Sequence, residues 1–166
     1  MWQAQIFTLY PEFFPGPLSK GLYGKALEKK IWNLKVVNIR DVAEDKHKTV
    51  DDTPFGGGAG MLLKADILAK SIDRNLKDRS RIFYLSPKGK KFDQKFAREL
   101  SKEKSINLIC GHFEGIDERL LSTRNIEEIS IGDFVLSGGE SAAFVIIDSI
   151  LRLLPGVLGN DSSKKT

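Results

Sequence analysis

Short apolar runs, too brief to be helices, recur through this chain between stretches of helical periodicity, and that alternation limits the fold more than any other feature of the sequence. Trp2 to Leu9, Leu34 to Ile39, Arg81 to Leu85, Ile106 to Cys110 and Ile129 to Ile131 read as strands, with Ser86-Pro87 stopping the third. Leu18 to Lys30, Leu63 to Leu76, Asp93 to Leu100, Asp117 to Leu121 and Ser141 to Leu154 read as helices or helical turns. Strands that alternate with helices predict an α/β fold, a mostly parallel sheet flanked by helices on both faces. The last helix is apolar almost all round, is expected to be buried, and ends at Pro155-Gly156.

At 166 residues, 41% of them hydrophobic, the chain is long enough for one domain with a sizeable core. It has no internal repeat and no low-complexity linker. Cys110 is the only cysteine, so no intrachain disulfide can form, and with two histidines the ligands for a structural zinc are lacking. That usage, with no basic-then-apolar leader and no run of spanning length, predicts a cytoplasmic protein without a membrane segment. A net charge of +4 suits an RNA partner but equally suits solvated lysine faces.

Residues Arg40 to Gly60 show neither period and carry His47, Asp51, Asp52 and the run Gly56 to Gly60, a long loop expected to be mobile without RNA. The common nucleotide-binding signatures are missing: no strand leads into G-x-G-x-x-G, and no G-x-x-x-x-G-K-[ST] occurs. Glycines gather instead in Pro54 to Met61 (PFGGGAGM), Cys110 to Arg119 (CGHFEGIDER) and Ile131 to Glu140 (IGDFVLSGGE). Glycine lets backbone approach a ligand closely, and loops beyond the carboxyl ends of parallel strands are where such folds bind ligands, so these loops are expected to share one crevice.

Together with Asp51 to Met61, Tyr84 to Pro87 and the closing Pro155 to Gly159, these segments resemble the N-terminal domain of bacterial tRNA (guanine-N1)-methyltransferases, the TrmD family of the SPOUT superfamily. The resemblance covers Met1 to about Gly159. It implies a C-terminal trefoil knot, a cofactor-binding domain over residues 1–159, and in residues 160–166 the start of a linker to a C-terminal domain. It implies S-adenosyl-L-methionine as cofactor, a homodimer, and the tRNA anticodon stem-loop as partner rather than DNA or a membrane. The implied reaction is methyl transfer to N1 of the guanosine immediately 3′ of the anticodon.

On this resemblance Tyr84, Leu85, Ser86, Gly111, Gly115, Ile131, Gly132, Leu136, Gly138 and Gly139 map onto the cofactor pocket. Leu85, Ile131 and Leu136 would wall an adenine ring, and the glycines would give close backbone contacts. Arg152 stands where the family has an arginine that stabilises the guanine, and Glu114 and Asp51 match acidic positions linked to substrate or Mg2+ handling. No residue is assigned as a metal ligand. Ala59 and Gly60 match a target-guanine contact, Ala59 replacing a usual proline, as Ala142 does after the Gly-Gly-Glu run. The family's general base maps just past Thr166, so this chain alone is expected to bind cofactor without transferring methyl groups. His47 and His112 read better as RNA-backbone or structural residues, and Asp117, Glu118 and Arg119 as a helix start with an ion pair. Two further readings stay open: a dimeric cofactor-binding module without catalysis, and a related methyltransferase acting on another RNA.

Overall fold

The computed structural model describes residues 1–44, 50–52, 62–76, 78–112 and 115–158. Five strands form one all-parallel sheet in the order β2-β1-β6-β5-β7: β1 is Trp2–Thr8, β2 Trp32–Asn38, β5 Arg81–Lys91, β6 Ser105–Ile109 and β7 Ile126–Ser130. A separate two-residue pair, β3 (Asp51–Asp52) with β4 (Leu62–Leu63), runs antiparallel. The helices are α1 (Gly21–Glu28), α2 (Ala65–Asn75), α3 (Gln94–Ser101), α4 (Glu118–Thr123) and α5 (Glu140–Leu151).

Because strand side chains alternate in direction, each strand feeds two cores. Ala4, Ile6, Phe83, Ile106 and Leu108 point to one face, where α1, α3 and α5 cover them with Ala26, Phe96, Leu100, Ile146 and Ile150. Phe7, Ile82, Tyr84, Ile109 and Ile126 point to the other, under α2 and α4 with Leu68, Ile72 and Leu120. A sheet buried on both sides explains why its strands read as continuous apolar runs rather than as alternating ones. The indole N–H groups of Trp2 and Trp32 donate to the carbonyls of Leu100 and Tyr23, so burying these large rings leaves neither donor unpaired.

Two sequence-based expectations need correction. Ser86-Pro87 does not stop β5; the strand pairs with β7 through Leu85, shifts register, and pairs again at Lys90 and Lys91. Proline is tolerated there because the interruption asks no ladder hydrogen bond of it. Gly89 lies so close to β7 that a Cβ on it would stand 2.4 Å from the backbone nitrogen of Ile129. Strand β7 also starts earlier than its apolar residues suggest, at Ile126, because Arg81 forks onto Glu127 at 2.9 and 2.8 Å and reaches Glu99 at 3.0 Å. Helix α5 is buried as expected, with Val145 its one exposed large apolar residue at 45%. The glycine-rich run Gly56 to Gly60 and the tail from Gly159 lie outside the described residues.

The sheet order positions the site. Neighbouring strands β5 and β6 lead into helices on opposite faces, α3 on one and α4 on the other, and a crevice opens at such a switch point.

Candidate active site

Where β5 shifts register beyond Leu85, and at the carboxyl ends of β6 and β7, the chain encloses a cavity of about 320 Å³. All ten residues expected around the cofactor line it: Tyr84, Leu85 and Ser86 from β5, Gly111 and Gly115 after β6, and Ile131, Gly132, Leu136, Gly138 and Gly139 after β7. Ile116, Phe134 and Ala142 add apolar surface, while Glu118, Glu128, Lys88 and His112 bring charge or titratable groups to the rim. The volume is that of a small-molecule site, and the lining mixes apolar and polar surface in nearly equal parts.

The glycines of this wall work differently from the expectation. A Cβ on Gly111 would stand 2.5 Å from the Tyr84 hydroxyl, and one on Gly138 2.2 Å from the His112 ring. A Cβ on Gly139 would stand 2.8 Å from the Cα of Cys110. Their missing side chains make room for the protein itself, letting the loops after β6 and β7 close on each other; the Gly139 N–H donates to the Gly111 carbonyl at 2.9 Å. Gly115 differs, since its φ of 132° is a backbone conformation that other residues rarely adopt.

Tyr84 is the buried pillar of this wall, 6% exposed. Burial, reinforced by the carboxylate of Glu128, pushes its phenol up to about 12. The unfolded chain therefore loses this proton first, near the ordinary value of 10. The stabilising contribution is complete below that pH and falls as pH rises towards 12. Between about pH 9.5 and about pH 11.5, wild type should lose on the order of 2 kcal/mol more stability than Tyr84→Phe. Equal losses in urea titrations of the two proteins would show that the phenol is not held neutral by burial.

The other expected residues are distributed unevenly. Asp51 pairs through its backbone with Leu63, whose N–H donates to the Gly115 carbonyl at 3.1 Å, so the β3–β4 pair is fastened to the cavity wall. Arg152 caps the far end of α5. Twelve residues of helix put its Cα about 18 Å along the axis from that of Glu140, and it is not among the residues that line the cavity. Glu114, Ala59 and Gly60 lie outside the described residues, as does His47. Among the described residues no three His, Cys, Asp or Glu side chains form a group that could hold a metal. No described helix is long and apolar enough to cross a membrane.

Asp117 opens α4 as expected, accepting from the Arg119 N–H and pairing with its guanidinium, which holds the Asp117 carboxyl down to about 2. Glu118 and Glu128 line the cavity although neither was expected to. Glu128 could have been found, since a carboxylate inside a strand buried on both faces needs a reason to be there.

The sequence pattern of the tRNA (guanine-1)-methyltransferase TrmD family matches residues 2–166. The chain belongs to the TrmD family. Among relatives, it is 83% identical over 164 residues to the tRNA (guanine-N(1)-)-methyltransferase of Pelagibacter ubique, covering 99% of this chain and 72% of that one. It is 56% identical to the Bartonella tribocorum enzyme of the same name, covering 99% and 70%, and 52% identical to that of Brucella canis, covering 99% and 67%. TrmD membership makes S-adenosylmethionine the cofactor to test against this cavity and tRNA the substrate class.

Proposed function

We propose that this TrmD-family chain binds S-adenosyl-L-methionine in the cavity between the register shift of β5 and the carboxyl ends of β6 and β7, and that it serves methyl transfer to N1 of the guanosine 3′ of the anticodon in tRNA. The observation that carries the reading is that the ten residues mapped to the cofactor pocket by the family resemblance, from three stretches of the sequence, line one cavity of fitting size. Bound there, the cofactor would supply a methyl group activated by its sulfonium. The protein's part is to bind and orient: Leu85, Ile131, Leu136 and Ala142 offer an apolar wall for a flat heterocycle, and Glu118 and Glu128 face a ligand carrying positive charge. Tyr84, neutral at physiological pH, is a hydrogen-bond donor rather than a base.

The reading includes a homodimer. Phe13, Leu22 and Val145 are 49%, 45% and 45% exposed, apolar surface that a second copy would cover. A dimer would also give Arg152, far from its own cavity, a partner's cavity to serve. The trefoil knot belongs to the same proposal, supported by family membership and by the way Gly138 and Gly139 pass against the loop after β6. So does a contribution of Mg2+ through Glu114 and Asp51, for which the resemblance is the support.

Titration calorimetry with S-adenosylhomocysteine, the demethylated product, should give saturable one-site binding per chain, and light scattering on the same sample a mass twice 18.5 kDa. No heat at millimolar ligand would end the cofactor assignment. A monomer at every concentration would end the dimer.

A further inference from the structure

Beneath the cavity wall lies a buried carboxylate that the functional reading has not used. Glu140, the first residue of α5, is 4% exposed. Its Oε2 accepts from the Thr8 hydroxyl at 2.8 Å, and Thr8 Oγ1 in turn accepts from the Tyr10 N–H at 3.0 Å. Its Oε1 faces His112 Nε2 at 2.5 Å, the imidazole N–H donating to the carboxylate. The Cys110 thiol, kept protonated by burial and by this carboxylate, donates to it as well. The other side of His112 is occupied by the Tyr10 ring, 4.8 Å between centroids. Glu140 thus holds together three pieces of chain: the end of β1, the loop after β6 and the turn into α5.

A buried carboxylate is costly unless fully hydrogen-bonded; here Thr8 ties it to the end of β1, and Cys110 and His112 tie it to the loop after β6 that shapes the cavity. His112 lines the cavity itself, and the space a Gly138 side chain would need is filled by the His112 ring. The ring therefore sets where the Gly138–Gly139 backbone can run. Binding groups must be held to within a fraction of an ångström, and the neighbours that support them do the holding.

Resting on the reading of this cavity as the cofactor's seat, we propose that His112 and Glu140 are positioning residues: their contact fixes the Gly111 and Gly138–Gly139 backbones in the arrangement that binds S-adenosylmethionine. Neither residue needs to touch the reacting atoms. Hydrogen bonds to ionised groups are the strong ones, and losing this one should cost about tenfold to hundredfold in affinity.

The test compares S-adenosylhomocysteine binding by wild type, His112→Ala, Glu140→Gln and His112→Gln, the last restoring an N–H donor. In parallel, amide exchange of Gly139, which bonds Gly111, is read against that of Gln3, which bonds Lys104 at the far end of the β1–β6 seam. His112→Ala and Glu140→Gln should weaken binding about tenfold or more and speed Gly139 exchange without changing Gln3, and His112→Gln should regain most of the affinity. Unchanged affinity in His112→Ala would overturn the proposal. Gly139 and Gln3 exchange rising together, with no recovery in His112→Gln, would also overturn it, because it would mark general destabilisation. Failure of the wild type to bind is a separate result: it removes the cofactor assignment, not just the positioning role.

Discussion

Gly139→Ala should abolish detectable binding of S-adenosylhomocysteine while leaving a folded protein. The added Cβ would lie 2.8 Å from the Cα of Cys110 and 3.0 Å from the Gly111 nitrogen, both backbone atoms in the cavity wall. A flexible side chain can swing away from such a contact, but backbone at the end of a central strand cannot, so the turn into α5 has to lift. Lifting it breaks the Gly139 to Gly111 hydrogen bond and carries Leu136 and Gly138 out of place. The core beneath is anchored elsewhere on α5, by Ile146, Ile147, Ile150 and Leu151, so the fold should survive with a loss on the order of 1–3 kcal/mol, the usual cost of overpacking. Affinity is expected to fall by more than about a hundredfold, since the displaced wall gives up several contacts worth about 1 kcal/mol each. Calorimetry together with a melting curve checks both halves. A variant binding within about threefold of wild type would mean that the loop moves without disturbing the cavity.

The second large effect concerns catalysis. This 166-residue polypeptide, saturated with S-adenosylmethionine, should methylate transcribed tRNA at background, whereas the full-length Pelagibacter ubique relative, 72% of which it covers, should turn over readily. Guanine N1 holds its proton at neutral pH, and a positioned base is worth roughly 10²–10⁴-fold. Among the described groups at the cavity, Tyr84 is neutral and donates, while Glu118, Glu128 and His112 stand at positions to which the family resemblance assigns no base. Arg152 can stabilise charge but cannot accept a proton. Equal turnover by the two proteins in a radiolabelled methyl-transfer assay would place the base within residues 1–166, with Glu118 and Glu128 the residues to substitute first.

The residues show why some of this was legible in the sequence and some was not. Strands buried on both faces advertise themselves as apolar runs, so β1 and β6 were readable to within two residues, as was the edge strand β2 from Leu34, Val36 and Val37 although only Trp32 and Val37 of it are buried. Strand β7 was not, because Glu127 and Glu128 interrupt its apolar run; one is neutralised by Arg81 and the other turned to the cavity, and both partners are distant in sequence. Likewise Ser86-Pro87 carries a local stop signal that is overridden by β7 pairing resumed at Lys90. The glycine loops announced the cavity, but what their glycines face could be learned only from packing: nothing near Gly138 in sequence points to His112. The Glu140 network joins Thr8 to a residue 132 positions away, and no periodicity encodes such a pair.

The sheet order has a consequence for how the chain is made. Strand β1 leaves the ribosome first, yet its inner neighbour is β6, and Gln5 and Asn107, bonded across that seam, stand 102 residues apart. Until β6 is synthesised, β1 and β2 can form only a two-stranded ribbon whose inner edge is apolar and unpaired, and such an edge is a template for association with other chains. At about 5–20 residues per second this exposure lasts several seconds in every round of translation. Slowing elongation between β2 and β6 should therefore reduce the soluble yield, although the finished protein would be identical.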